Sequence, residues 1–201
     1  MTGEAERARL ERAIGDAWRA RAWQDAATAL IAGYGPEILR YLLALAREAD
    51  TADEAFSQFC ENVWLGLPSF RGESTFRVWA YAVARFAWTR TRRGARRRRR
   101  HVPLSEVPSV ELAADAVRTR TAEYLRTDAR DRVAELRARL DPDDHSLLIL
   151  RVNRRLAWND IARALAPPDE PLPEPAVAKR AAALRKRYQR IKDELRAAVR
   201  T

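Results

Sequence analysis

With 201 residues, 47% of them hydrophobic and 33% charged, the chain can form one ordinary domain or two small ones and is too apolar for a disordered polymer. A formal charge of +10 calls for an acidic partner, with nucleic acid and anionic membrane the usual candidates. The single cysteine, Cys60, excludes a disulfide framework or a Cys-based metal site, and no run approaches the roughly 18 apolar residues of a membrane span, so a soluble protein of the reducing cytoplasm, nucleoid-associated if its partner is DNA, is expected.

The charge comes in blocks. Residues 1–70 carry −4, 71–100 carry +10, 101–144 carry −3 and 145–201 carry +7, so two basic sites alternate with mildly acidic segments. Apolar residues recur at three- and four-residue spacing and no strand-like alternation persists, which predicts an all-α fold. Leu10, Ala13, Ile14, Ala17 and Trp18 make the first stripe. A second helix is predicted after Gly35, with Pro36 in its first position and Ile38, Tyr41, Leu42 and Leu45 inward. Thr51-Ala52-Asp53-Glu54 has capping-box spacing and predicts a helix start, with Ala52, Ala55, Phe56, Phe59 and Val63 buried and an end near Gly66-Leu67-Pro68. The next helix is predicted from Ser74, burying Phe76, Trp79, Ala80, Val83, Ala84 and Ala87.

From Gly94 to about Ala113 the pattern lapses through the Arg96–Arg100 run, Pro103 and Pro108, and this reads as a basic linker. A second helical unit is predicted from about Asp128, with Val133, Leu136 and Leu140 on one face. Asp141-Pro142-Asp143-Asp144 is a strong helix start, followed by a core of Leu147, Leu148 and Leu150. A short helix is expected over Trp158–Leu165, then a loop, because half the chain's prolines fall within 167–175. Val177, Ala181, Leu184, Tyr188, Ile191, Leu195 and Val199 then describe one amphipathic helix of about 24 residues.

Two constellations carry chemistry. Arg77, Tyr81, Arg85, Trp88 and Arg92, spaced four, four, three and four, line one face of the helix after Ser74, opposite its apolar stripe. Exposed, such a face would neutralise phosphates and stack on unpaired bases; the alternative is that Tyr81 and Trp88 pack against a neighbouring element. In the last third, a helix, a short helix and a long basic helix make the order of a helix-turn-helix, with Lys179, Arg180, Arg185, Lys186, Arg187, Arg190 and Lys192 offered to a DNA groove. A basic helix packed in a bundle or lying on a membrane surface is the alternative there. His101 and His145 are isolated, no Gly-rich phosphate loop occurs, and Asp53-Glu54 and Asp143-Asp144 read as first-turn acids, so no enzyme, metal or cofactor is indicated.

Ala52–Trp64 and Phe70–Arg85 resemble the extracytoplasmic-function sigma factors of bacterial RNA polymerase, and Leu147–Val152, Leu156–Ala162 with Leu165, and Ala183–Lys192 are similar to that family's C-terminal domain. The resemblance implies two small helical domains, a sigma region 2-like bundle and a region 4-like helix-turn-helix. It divides the chain into packing helices over 1–30, a region 2-like domain over 31–95, a linker over 96–127 and a region 4-like domain over 128–201. It implies core polymerase contacts at Asp53, Glu54, Gln58, Phe59 and Trp64, and minus-10 contacts at Arg77, Tyr81, Arg85, Trp88 and Arg92. Minus-35 contacts fall on Arg185, Lys186, Arg187 and Arg190, although Val177–Arg180 is an alternative start for the recognition helix. Core RNA polymerase and promoter DNA are the implied partners; an anti-sigma factor is compatible, no membrane is involved, and no cofactor is needed. The linker is expected to thread toward the polymerase active channel. The chain departs from the family pattern at Glu54-Ala55-Phe56-Ser57-Gln58, at Phe86 and Thr89, and in the Pro-rich 167–175 stretch. A stand-alone helix-turn-helix regulator and a basic helical RNA-binding or scaffold protein remain open at this level.

Overall fold

A computed structural model describes residues 2–46, 48–92, 107–125, 140–170 and 172–200. The chain clusters into two compact units, Met1–Asp128 and Ala129–Thr201. Among the described residues all regular structure is helical, so the expected all-α, two-domain architecture is borne out. The Arg96–Arg100 run and the predicted helix with Val133 and Leu136 lie outside the described residues.

The first unit is built around α2, Trp23–Leu45. This helix runs through Pro36 without interruption, where the sequence predicts a start. Gly33, Gly35 and Pro36 oppose helix formation locally, by about 1 kcal/mol for each glycine and about 3 for proline, yet tertiary packing overrides them. The two glycines are what lets neighbours close in. A Cβ at Gly33 would meet Leu10 of α1 (Thr2–Arg19) at 2.3 Å, and one at Gly35 would meet Val117 of α5 (Pro108–Leu125) at 2.9 Å. Ala27, Leu30, Ile31, Ile38 and Leu42 are fully buried between these partners and α3 and α4.

Helix α3 spans Ala49–Gly66 and passes through a 3-10 turn, Leu67–Ser69, into the loop before α4, Phe76–Arg92. The predicted capping box does not form: α3 begins three residues earlier, after Glu48, with no side-chain cap on its first amides. Helix α4 is capped instead. Thr75 Oγ1 accepts from Val78 N at 3.2 Å, and Glu11 of α1 accepts from Phe76 N and Arg77 N, both at 2.9 Å, so orphan first-turn amides find an acceptor 65 residues away.

Helix α5 corrects the expected linker. Residues 108–125 form a helix that packs on α2, burying Val107, Val110, Ala114, Val117 and Thr121. Its apolar spacing is helical, but small residues and threonine make the stripe faint. Ser109 ties it to Gln24 and Thr28 at 2.9 and 3.0 Å.

In the second unit, Asp141 caps α6 (Pro142–Leu148) by accepting from Asp143 N at 2.9 Å, as the sequence predicts. A π-helical turn, Ile149–Asn153, follows, and Arg155 adopts a left-handed φ of 54° before α7, Trp158–Ala164. The last helix, α8, spans Glu174–Arg200 and starts inside the Pro-rich stretch, because Pro175 falls in the first turn, where the missing N–H has no partner to lose. Leu147, Leu150, Ile161, Ala162 and Val177 are fully buried and form the core of α6, α7 and α8.

Candidate nucleic-acid and polymerase interface

On α4 the arginines and aromatics that the sequence aligns on an exposed face are mostly inside. Tyr81 is 0% and Trp88 4% exposed, and the Arg77 side chain is 12% exposed. Glu37 of α2 collects this face: its carboxylate accepts from Arg77 Nε at 2.9 Å, from Arg77 Nη2 and from the Tyr81 hydroxyl. Burial works against the Arg77 charge, and Glu37 more than offsets it, raising the guanidinium above its ordinary value. Tyr81 also meets Tyr41 edge-on at 5.2 Å. Beside it Tyr34 donates to Glu11 at 2.7 Å, and burial together with Glu11 raises the phenol well above its usual value. An open stacking platform at Tyr81 and Trp88 is therefore overturned. The helix is enclosed by α1, α2 and α3 and has apolar residues on nearly every side.

What α4 leaves accessible is its C-terminal end. Arg85 is half-buried, Arg90 lies over Phe86 at 5.3 Å, and Arg92, exposed, lies over Trp88 at 5.1 Å. Neither Arg90 nor Arg92 is ion-paired among the described residues, and both lead directly into the arginine run of the sequence.

The five polymerase-facing candidates on α3 also separate. Phe59 is 0% exposed, stacked with Phe56 at 5.7 Å, and belongs to the core. Asp53 is exposed but engaged: Arg118 of α5 pairs with it at 2.8 Å, donates to Ser57 at 2.8 Å and lies over the Phe56 ring at 5.4 Å. Trp64 is half-buried. Glu54 and Gln58 share the outward edge, where Gln58 donates to Glu61 at 2.7 Å and Leu65 is 48% exposed. Glu61 and Leu65 complete this edge; their recurrence with Glu54 and Gln58 at three- and four-residue spacing is the sequence signal for them.

On α8 the buried stripe Val177, Ala181, Leu184 and Ile191 sets which cations face outward. Lys179, Lys186 and Arg190 are exposed on the outer face with Ala182 and Ala183 between them. Arg187 is not on that face: it pairs with Asp144 and, at 3.3 Å, with Asp141, and so ties α8 to the start of α6. The Asp144 partnership raises its guanidinium above the ordinary value. Arg185, also exposed, points along the flank toward Trp158, 5.9 Å from the ring centroid. Helix α8 thus includes Val177–Arg180, the alternative start of the recognition helix, in its first turns. Sequence reasoning groups Arg185, Lys186, Arg187 and Arg190 together; the fold divides them among three faces.

Residues 30–98, which run from the middle of α2 through α4, match the family model Sigma-70 region 2. Over these residues the chain is similar to the sigma-70 family. It is 27% identical over 143 residues to the RNA polymerase sigma factor YlaC of Bacillus subtilis (strain 168), a match covering 71% of this chain and 80% of that protein. No solved structure matches significantly. The extracytoplasmic-function resemblance drawn from 52–64 and 70–85 is thereby borne out, and the region 2 match coincides with the helices that bury the Glu37 cluster. No helix among the described residues is long and apolar enough to cross a membrane.

Proposed function

We propose that the chain acts as a sigma subunit that joins core RNA polymerase through the outward edge of α3 and engages promoter DNA through the end of α4 and the outer face of α8. The observation that carries this reading is the region 2 match over 30–98, lying on a bundle in which Arg90 and Arg92, without ion pairs among the described residues, stand at the end of α4. Polymerase contact falls to Glu54, Gln58, Glu61 and Leu65, because Phe59 is core and Asp53 is held by Arg118. Minus-10 engagement falls to Arg90 and Arg92 with the basic run that follows, since phosphate neutralisation needs cations that are not already paired. Minus-35 recognition falls to Lys179, Lys186 and Arg190, whose exposed side chains flank two alanines small enough for close approach to a groove. The test is reconstitution. The purified full chain should co-elute with core RNA polymerase and support run-off transcription from promoters absent from core-only reactions; failure to form a holoenzyme overturns the reading.

A further inference from the structure

The second unit distributes its arginines unevenly. On one side of α8 Arg180 donates to the Leu165 carbonyl and Arg187 pairs with Asp144, while at its N-terminal end Glu174 pairs with Arg163 of α7. On the other side the cations converge on aromatic rings. Arg151 of the π-helical turn lies 4.8 Å and Arg185 of α8 5.9 Å from the centroid of Trp158, the first residue of α7. Trp158 meets Tyr188 edge-on at 5.5 Å, and Lys192 lies 5.5 Å from the Tyr188 ring.

No carboxylate is ion-paired with Arg151, Arg185 or Lys192 among the described residues, and Asp160, the acid nearest in sequence to Trp158, pairs with neither arginine. The rings hold the cations in place but do not neutralise them. Two guanidiniums at one indole bring together positive charge that an anion would neutralise. The arrangement is also positioned by the backbone: Arg151 Nη1 donates to the Leu156 carbonyl at 2.9 Å, and the left-handed Arg155 turns the chain so that Trp158 comes back beside Arg151. A π-turn and a left-handed non-glycine residue within seven positions are locally unfavourable, and such features persist where a site requires them.

We propose that Arg151, Trp158 and Arg185 form a phosphate clamp that holds one phosphodiester of duplex DNA beside the groove entered by the outer face of α8. Guanidinium forks match phosphate oxygens, and a contact of this kind sets the register of the helix on the duplex without reading sequence. The clamp rests on the proposed function, and the test separates the two. Wild type, R185Q, R151Q/R185Q and R196Q are each assembled with core RNA polymerase. Binding is then measured to promoter fragments that the wild-type holoenzyme selects from genomic DNA, between about 50 and 200 mM salt. Losing one phosphate contact makes the plot of log affinity against log salt shallower by about 1. The double variant should show that change, R185Q a smaller one in the same direction, and R196Q, which removes a charge from the exposed end of α8, none. Because Arg185 is exposed, R185Q keeps the fold, and it decides the matter alone if the double variant does not fold. An unchanged slope in a holoenzyme that assembles normally overturns the clamp, as does an equal loss in R196Q. Absence of any holoenzyme overturns the proposed function instead.

Discussion

Helices α4 and α8 are both rich in arginine, and they end up in opposite environments. Helix α4 is enclosed by three neighbours, so Arg77 and Tyr81 share one partly buried carboxylate, Glu37, and Trp88 is 4% exposed. Among the described residues helix α8 is covered on one side only, so its cations are sorted around its circumference into struts, a flank on Trp158 and an exposed outer face. Helical spacing places residues on a common face, but the number of helices packed around that face decides whether its charges meet water, DNA or a partner inside the protein. Basic charge on a helix is therefore evidence for nucleic-acid contact only after its intramolecular partners are known.

The contrast can be broken most directly at the aromatics of α4. Trp88→Ala and Tyr81→Ala should each destabilise the protein by about 3–5 kcal/mol in denaturant unfolding, as expected for large side chains removed from a core. A Trp88→Ala protein that keeps its stability and loses only strand opening would restore the stacking face and overturn the burial. Glu37→Ala removes the acceptor shared by Arg77 and Tyr81 and should lower stability by about 3 kcal/mol, whereas Glu37→Gln, which keeps an acceptor, should lose less. Glu11→Ala removes the acceptor of two first-turn amides of α4 and should lose about 1–2 kcal/mol, read as a lower melting temperature. On α8 the effects are smaller and of a different kind. Arg187→Ala breaks a partly exposed pair and should shift stability by no more than about 1 kcal/mol while leaving the salt dependence of holoenzyme binding to DNA unchanged. Lys186→Ala should do the reverse, leaving stability intact and making the salt dependence shallower by about 1. If Arg187→Ala flattens the salt dependence as much as Lys186→Ala does, the sorting of the α8 cations is wrong.

Several features were legible in the sequence because they depend on neighbours along the chain. The Asp141 cap, the end of α3 near Gly66 and the long stripe of α8 are all local or periodic. The start of α2 was not, because Pro36 and two glycines argue for a break, and the packing of α2 against its neighbours, with Leu10 and Val117 set close on those glycines, overrides them. Helix α5 escaped for a related reason, since its buried face is made of Val, Ala and Thr, too weakly apolar to stand out beside an arginine run and prolines. Glu11 and Glu37 carried no signal at all, as their partners on α4 lie 40 to 66 residues away.

The sequence by itself determined that the chain is helical, that its positive charge comes in two blocks, and that residues 52–85 carry the sigma-70 pattern, because periodicity, composition and motif spacing are properties of the chain read in order. Only the tertiary structure decided which arginines are available. A guanidinium seeks the nearest acceptor in space, and for Arg77, Arg118 and Arg187 that acceptor lies on another helix.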